Sequence, residues 1–156
     1  MLFYLQNHSR PELTFAVSQC ARYTYCPKLF HEKALKRIGR YLKGTRTKGL
    51  IMKPNKDLNI DCHVDSDFAG LCGYEDDQDP TCVRSRTGYI ISIGGCPVLW
   101  SSKLQTETAL STMEAEYIAL STSLKQLIPL KRLVESVWNA VGLDINKLIT
   151  IKSTVW

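Results

Sequence analysis

The sequence lacks any apolar run long enough to cross a membrane. None of its stretches approaches the roughly 18 consecutive apolar residues that a transmembrane helix needs. The N-terminal MLFYLQNHSR also lacks the charged start and the long apolar segment of a secretory signal. With 44% hydrophobic residues, the 156-residue chain still has enough apolar side chains for a buried core. We therefore expect an intracellular globular protein that is not secreted and has no membrane partner.

Closely spaced cysteine pairs are also missing. The six cysteines, at positions 20, 26, 62, 72, 82 and 96, form no Cys-x-x-Cys pair, and Cys20, Cys62 and Cys96 fall within apolar runs. This pattern favours reduced, mostly buried thiols over a disulfide framework. A zinc site made of His63, Cys72 and Cys82 is an alternative, although the tight ligand spacing typical of zinc sites is absent.

Acidic residues are scarce in the first third of the chain. Residues 1–56 carry twelve Lys or Arg and two Glu, a local charge of +10, whereas residues 57–156 carry a local charge of −5. Such an asymmetry is typical of a basic surface beside an acidic site, and nucleic acid is a frequent partner of such proteins. Ordinary solvated basic helices explain the composition equally well.

Two helices are predicted in this basic part. Pro11 opens the first, which should end near Tyr25 because Pro27 disfavours a helical conformation in the residue before it. The second spans about Leu29–Lys43. One of its faces carries a row of cations that either follows a phosphate backbone or lies in water as an ordinary polar face. These cations are Lys33, Lys36, Arg37, Arg40 and Lys43.

Short strands are predicted in the middle of the chain. A Gly94-Gly95 turn joins two of them into a hairpin, and an alternating strand precedes the hairpin, so three strands are expected to form an antiparallel meander. A further short strand is predicted before the meander. The four strands, in chain order, are Lys48–Lys53, Leu58–Val64, Thr87–Ile93 and Pro97–Ser101.

After the meander the hydrophobic period changes to that of a helix. Ser111 and Glu114 match a capping box, in which Ser111 is the N-cap and Glu114 reaches back to it. Pro129 allows a break or kink, and the helical pattern ends at Gly142. The last predicted strand, Lys147–Val155, should lie parallel to a neighbour through a right-handed crossover. The predicted fold is therefore a mixed α/β sheet of three antiparallel strands, a crossover helix and a parallel fourth strand, preceded by a helical hairpin.

Carboxylates at two places, the end of a strand and the start of the long helix, are candidates for metal binding. The stretch Leu58–Asp67 ends in Asp65 and Asp67, which share one side of a strand. Glu116 lies one turn into the long helix among apolar neighbours. There a carboxylate is either exposed or paired with a cation or metal. Hard oxygen ligands from Asp65 and Glu116 suit magnesium, whereas a solvated strand end and a surface glutamate are the alternatives. The run Glu75-Asp76-Asp77 lacks calcium-loop spacing and is expected to be a solvated tip.

Several stretches together resemble a known family. Three stretches carry this resemblance: HVDSDFAG, SRTGYIISIGGCPVLWSSKLQ and ALSTMEAEYIALS. In their order and spacing they are similar to the ribonuclease H domain of copia-type retrotransposon polyproteins. The chain is similar to the segment that joins the reverse transcriptase to that domain in RPELTFAVSQCARY and HEKALKRIGRYLKGT. The resemblance covers nearly the whole chain. It implies a basic helical connection segment over residues 1–47 and a ribonuclease H-like domain over residues 48–156.

The resemblance also implies an activity and its residues. That activity is the cleavage of the RNA strand of an RNA–DNA hybrid with Mg²⁺ or Mn²⁺, beside the reverse transcriptase portion of the polyprotein. The family's first catalytic and metal-binding carboxylate maps onto Asp65, and its helical glutamate maps onto Glu116. Asp67 is then expected to be a loop-start residue, and Glu114 is expected to cap the helix. The family's third carboxylate follows the fourth strand and a further one lies in a later helix. Neither has a counterpart here, and Asp144 precedes that strand and substitutes poorly.

This departure from the family pattern gives two expectations. The domain should be truncated at its C-terminus and inactive on its own, because a site with two of four carboxylates loses ligands and metal affinity. The alternative functions are a non-catalytic nucleic-acid-binding module that uses the basic N-terminal helices, and a fragment without a stable fold.

Overall fold

The computed structural model describes residues 1–56, 58–73, 79–142 and 149–150. The chain divides into two units, Met1–Ile51 and Met52–Trp156. The N-terminal helices belong to the first unit and the sheet belongs to the second. The boundary thus lies a few residues after the one that the sequence predicts.

Three helices form the first unit, around a small core of Leu13, Val17 and Ile38. Pro11 begins a 3-10 turn before the predicted helix, which ends at Arg22 and not near Tyr25. An additional N-terminal helix was not predicted, because its seven residues are too few for an apolar period to be recognised. The elements are α1 (Leu2–His8), the 3-10 turn (Pro11–Leu13), α2 (Thr14–Arg22) and α3 (Leu29–Gly44).

A buried arginine connects the start of α2 with the end of α3. Arg10 donates hydrogen bonds to the Thr45 carbonyl (3.1 Å), to Thr45 Oγ1 (2.6 Å) and to Glu12 Oε1 (2.6 Å). The bond to Glu12 raises the pKa of Arg10. Burial raises the pKa of Glu12, but the hydrogen bonds and charge of Arg10 outweigh it and lower that pKa below its usual value. The pair therefore stabilises the unit above the ordinary pKa of glutamate and is lost as the pH falls through the lowered value.

The predicted strand Lys48–Lys53 is not a strand in the structure. These residues are described and form no strand, and Ile51 and Met52 are 84% and 58% exposed. Apolar residues favour a strand only where a partner strand is available for their backbone groups and side chains. The prediction was wrong because a short apolar run does not reveal whether such a partner exists.

The second unit contains a four-stranded sheet in the order β3-β2-β1-β4. Its first three strands pair antiparallel, as the predicted meander requires. The fourth pairs parallel with β1, where Ile149 faces Ile60 and Thr150 faces Asp61, which confirms the predicted direction. The rest of the predicted strand Lys147–Val155 lies outside the described residues. The strands are β1 (Ile60–Asp67), β2 (Arg86–Ile93), β3 (Cys96–Leu104) and β4 (Ile149–Thr150).

The predicted Gly94-Gly95 turn joins β2 to β3. Both residues have positive φ, 57° and 80°, as a two-residue hairpin turn of this kind requires. A Cβ added to Gly94 would also lie 3.1 Å from the backbone nitrogen of Asn55. That nitrogen donates to the Gly94 carbonyl at 2.8 Å, and the Gly94 N–H donates to the Asn59 carbonyl at 2.8 Å. The segment that enters β1 is thus attached to the hairpin turn.

A single long helix, α4 (Thr112–Val141), packs on one face of the sheet. It continues through Pro129, where the sequence allowed a break. Leu127 before the proline and Leu130 after it both pack on the core, whereas Pro129 is exposed, so packing holds the helix together across the missing hydrogen bond. The described part of the chain contains no helix long and apolar enough to span a membrane.

Candidate functional site

Strand β1 separates apolar from polar side chains as the sequence predicts. Ile60, Cys62 and Val64 are buried in the core under α4, whereas Asp65 and the residues on its side of the strand are largely exposed. Burial raises the pKa of the Cys62 thiol above its usual value, consistent with a reduced core cysteine. Leu58, with a φ of 45°, precedes the strand and does not begin it.

Asp67 is the last residue of β1 and not the first residue of the following loop. It pairs in the antiparallel register with Arg86. Its carboxylate lies against the Cα of Gly70, where an added Cβ would clash with both carboxylate oxygens. The prediction of a loop-start residue was wrong because antiparallel pairing with β2 extends beyond the apolar alternation on which it rested.

The two glutamates near the start of α4 differ in their contacts. The Glu114 N–H donates to Ser111 Oγ at 3.2 Å, which confirms Ser111 as the N-cap. The Glu114 carboxylate reaches back one residue further than a standard capping box and accepts from the Leu110 N–H at 2.6 Å. Glu116, two residues later, is half-buried and takes no part in this cap.

Asp65 and Glu116 line the same shallow depression, which opens to solvent. One wall is the end of β1 and the other is the first two turns of α4. The helix approaches the strand closely because Ala115 and Ala119 are both fully buried and have small side chains. Asp65 Oδ1 accepts from the Ser66 N–H at 2.9 Å, so the carboxylate lies beside its own strand. The lining residues are Val64, Asp65, Ser66, Glu116, Ala119 and Leu120.

The donor set of this depression suits one hard divalent cation. Magnesium is commonly held by one or two carboxylates, with waters and substrate phosphates as its remaining ligands. Within the described residues, no three His, Cys, Asp or Glu side chains form a group that could hold a metal ion. Asp65 and Glu116 are therefore compatible with a single magnesium ion that is completed by water or substrate. They do not by themselves supply a two-metal site.

The alternative metal sites of the sequence are not formed or lie outside the described residues. Cys82 is buried at 4% exposure, whereas His63 and Cys72 are exposed, and the described residues bring no such trio together. The zinc alternative, which the ligand spacing already disfavoured, is not formed among the described residues, because ligands far apart in sequence converge only when the fold brings them together. The run Glu75-Asp76-Asp77 and Asp144 both lie outside the described residues.

The row of cations on α3 is exposed along its whole length. Ile38 and His31 are each 6% exposed and pack inside the first unit, and at 100° per residue the cations lie on the opposite side of the helix. Glu32 Oε1 forms an ion pair with the Nζ of Lys36 at 2.5 Å, the one ion pair within this row in the described structure. The exposed cations are Lys33, Lys36, Arg37, Arg40 and Lys43.

Sequence reasoning missed one polar residue beside the depression. Gln105 follows β3 and is 4% exposed, and its side chain donates to groups on both β1 and α4. A single glutamine at a strand end belongs to no periodic pattern or metal motif. The burial of its amide therefore depends on the tertiary structure.

Comparison with known proteins finds similarity to transposon proteins over most of the chain. The chain is 36% identical over 119 residues (76% of its length) to the retrovirus-related Pol polyprotein from transposon RE2 of Arabidopsis thaliana. It is 37% identical over 134 residues (86%) to the corresponding polyprotein from transposon TNT 1-94 of Nicotiana tabacum. These matches span only 8% and 9% of the two polyproteins.

A shorter protein matches over most of its own length. The chain is 35% identical over 127 residues to secreted RxLR effector protein 161 of Plasmopara viticola, which covers 81% of the chain and 84% of that protein. No family model matches the chain. No solved structure matches it either.

Proposed function

We propose that the chain, which belongs to the family of its relatives among copia-like retrotransposon Pol polyproteins, is the ribonuclease H-type part of such a polyprotein. The proposed substrate is the RNA strand of an RNA–DNA hybrid, and the proposed partner is the reverse transcriptase portion of the same polyprotein. Such a protein would act inside the cell. The chain spans less than a tenth of the length of the Pol polyproteins that it matches, so their whole activity is not transferred to it.

The observation that carries this proposal is the shared depression of Asp65 and Glu116. The two residues come from β1 and α4, far apart in sequence, and both belong to the lining of one solvent-open recess. The sheet order and the parallel β4 beside β1 further support a ribonuclease H-like fold. A bound magnesium or manganese ion would act as a Lewis acid on a phosphate and lower the pKa of a bound water.

The residues of this chain would hold the ion and orient its ligands. Asp65, next to the well-packed Val64, and Glu116, on a capped helix, would each offer a carboxylate oxygen from a regular element. Elements of this kind hold a carboxylate more firmly than a loop would. Cleavage with two metals needs more carboxylates than Asp65 and Glu116 supply within the described residues, so we propose that the remaining ligands come from the larger polyprotein.

A hybrid-cleavage assay tests this function. We expect the isolated chain with Mg²⁺ to leave a labelled RNA–DNA hybrid intact, because two carboxylates are too few for two-metal catalysis. A chimaera in which this chain replaces the matching region of the tobacco polyprotein should cleave the RNA strand, and Asp65→Asn in the chimaera should abolish cleavage. A folded chimaera that does not cleave, or cleavage that survives Asp65→Asn, would refute the proposal.

The exposed cationic row of α3 favours a second function, the binding of nucleic acid by the first unit. Its five cations lie on one face, and the opposite face is occupied by packing. Such a row can track a phosphate backbone without reading its sequence. This function is compatible with the first and also stands without it.

Salt-dependent binding tests the second function. For the double variant Lys33→Ala/Arg40→Ala, we expect hybrid affinity to fall and the slope of log K against log salt to decrease by about 2, because each lost phosphate contact removes about one released counterion. Fluorescence anisotropy with a labelled hybrid at several salt concentrations measures this slope. The control, Lys125→Ala/Arg132→Ala, removes the same charge from exposed positions on α4. Equal losses in both variants would contradict a role for α3.

A further inference from the structure

Gln105 lies between the end of β1 and the start of α4, beside the depression. Its side chain is 4% exposed, and Nε2 lies 3.3 Å from Ser66 Oγ and 2.8 Å from the Ala115 carbonyl oxygen. The same nitrogen lies 3.1 Å from Thr87 Oγ1, and Thr87 is the cross-strand partner of Ser66. One amide group therefore contacts β1, β2 and α4.

The positions of these contacts relate Gln105 to the candidate carboxylates. Ser66 directly follows Asp65, and Ala115 directly precedes Glu116. Gln105 is thus hydrogen-bonded to the neighbour of each carboxylate, although it does not itself line the depression. Its own backbone is held as well, because the Gln105 N–H donates to the Ser85 carbonyl at 2.8 Å.

The chemistry of the contacts requires a hydrogen-bond donor at Nε2. The Ala115 carbonyl can only accept, so the group beside it must donate, whereas the hydroxyls of Ser66 and Thr87 can accept from the same nitrogen. Oε1 of Gln105 has no hydrogen-bond partner in the described part of the chain. All of the side-chain hydrogen bonds of Gln105 in that part of the chain thus run through Nε2.

We propose that Gln105 is a positioning residue that sets the spacing between the strand end that carries Asp65 and the helix turn that carries Glu116. Its significance for metal binding rests on the proposed function. Residues that orient metal ligands from behind typically change affinity or activity by about 10- to 100-fold when they are replaced. Gln105 differs from such residues because it contacts the sequence neighbours of both proposed ligands, Ser66 and Ala115, and not the ligands themselves.

The test compares Gln105→Leu and Gln105→Glu with a buried control, Ile91→Val. Gln105→Leu removes the donor, and Gln105→Glu keeps the shape but places a carboxylate oxygen against the Ala115 carbonyl. Ile91→Val perturbs the core of the second unit at a residue that does not line the depression. Ser66→Ala, which removes a single contact, serves if the Gln105 variants do not fold. Variants are compared only where thermal melts show a folded protein.

The first readout is made without metal. Amide hydrogen exchange by NMR should accelerate at least about tenfold in both residues 64–67 and 114–117 for the Gln105 variants, and in neither stretch for Ile91→Val. Acceleration in only one stretch, or equal acceleration in the control, would overturn the proposal. Since this readout needs no metal ion, it decides the role of Gln105 even if the proposed function fails.

The second readout is Mn²⁺ affinity, measured from the electron paramagnetic resonance signal of free Mn²⁺. If the parent protein binds Mn²⁺, Gln105→Leu should weaken binding by about tenfold or more, and Ile91→Val should not. Unchanged affinity in a folded Gln105 variant would overturn the positioning role. A parent protein that binds no Mn²⁺ would refute the metal site itself, and the exchange readout would then decide the spacing role alone.

Discussion

Replacement of either Glu116 or Asp65 should weaken Mn²⁺ binding at the depression. Glu116→Gln and Asp65→Asn keep the size of each side chain but remove the negative charge and one strong oxygen ligand. The described residues that line the depression include no third carboxylate to compensate. We expect affinity to fall at least about tenfold in each variant, as measured by the signal of free Mn²⁺. In the parent protein, Mn²⁺ should also broaden the NMR signals of Ser66 and Ala115.

The structure provides a close control for this experiment. Glu114 lies two residues before Glu116 on the same helical turn, but its carboxylate accepts from the Leu110 N–H. Glu114→Gln removes the same charge, and glutamine also fits the cap, so stability should change little and Mn²⁺ affinity should be retained. If Glu114→Gln weakened Mn²⁺ binding as strongly as Glu116→Gln, the metal would be held by the other glutamate or by unspecific negative charge.

Ile91→Ala should destabilise the second unit by about 3 kcal/mol. Ile91 is fully buried in the core with Cys62 and Ala119, and removal of a buried isoleucine loses both apolar contact and packing. Urea unfolding followed by tryptophan fluorescence measures this loss in the second unit alone, because Trp100, Trp138 and Trp156 all belong to it.

The neighbouring isoleucine is the matched control. Ile90 lies in the same strand but is 44% exposed on the opposite face of the sheet. Ile90→Ala should therefore cost less than about 1 kcal/mol. A reversed order of the two variants would mean that β2 is shifted by one residue relative to β1, since a one-residue slip moves every side chain to the other face.

Local features of the second unit are predictable because their causes lie within a few residues. The alternation of Ile60, Cys62 and Val64 identifies the buried side of β1, and adjacent glycines predict the hairpin turn. Ser111 is recognisable as an N-cap from the residues that follow it. Each of these signals depends on backbone geometry over one turn or a few alternating residues.

Other features depend on partners that are distant in the chain. Residues 48–53 have strand-like composition but pair with no strand in the described part of the chain. Pro129 remains within a helix because Leu127 and Leu130 pack on the core. Asp67 belongs to β1 because Arg86 is opposite to it. In each case tertiary pairing or packing overrides the local preference.

The candidate site shows the same division. The sequence by itself determined that a strand with acidic residues at its end and a capped helix would form. Its resemblance to a family singled out Asp65 and Glu116 in these two elements. Spacing alone left a solvated strand end and a surface glutamate as alternatives. The tertiary structure decided that both residues line one depression, because close packing of Ala115 and Ala119 brings α4 to β1. It also decided that Gln105 bridges their neighbours, since a buried amide must find its partners wherever the fold places them.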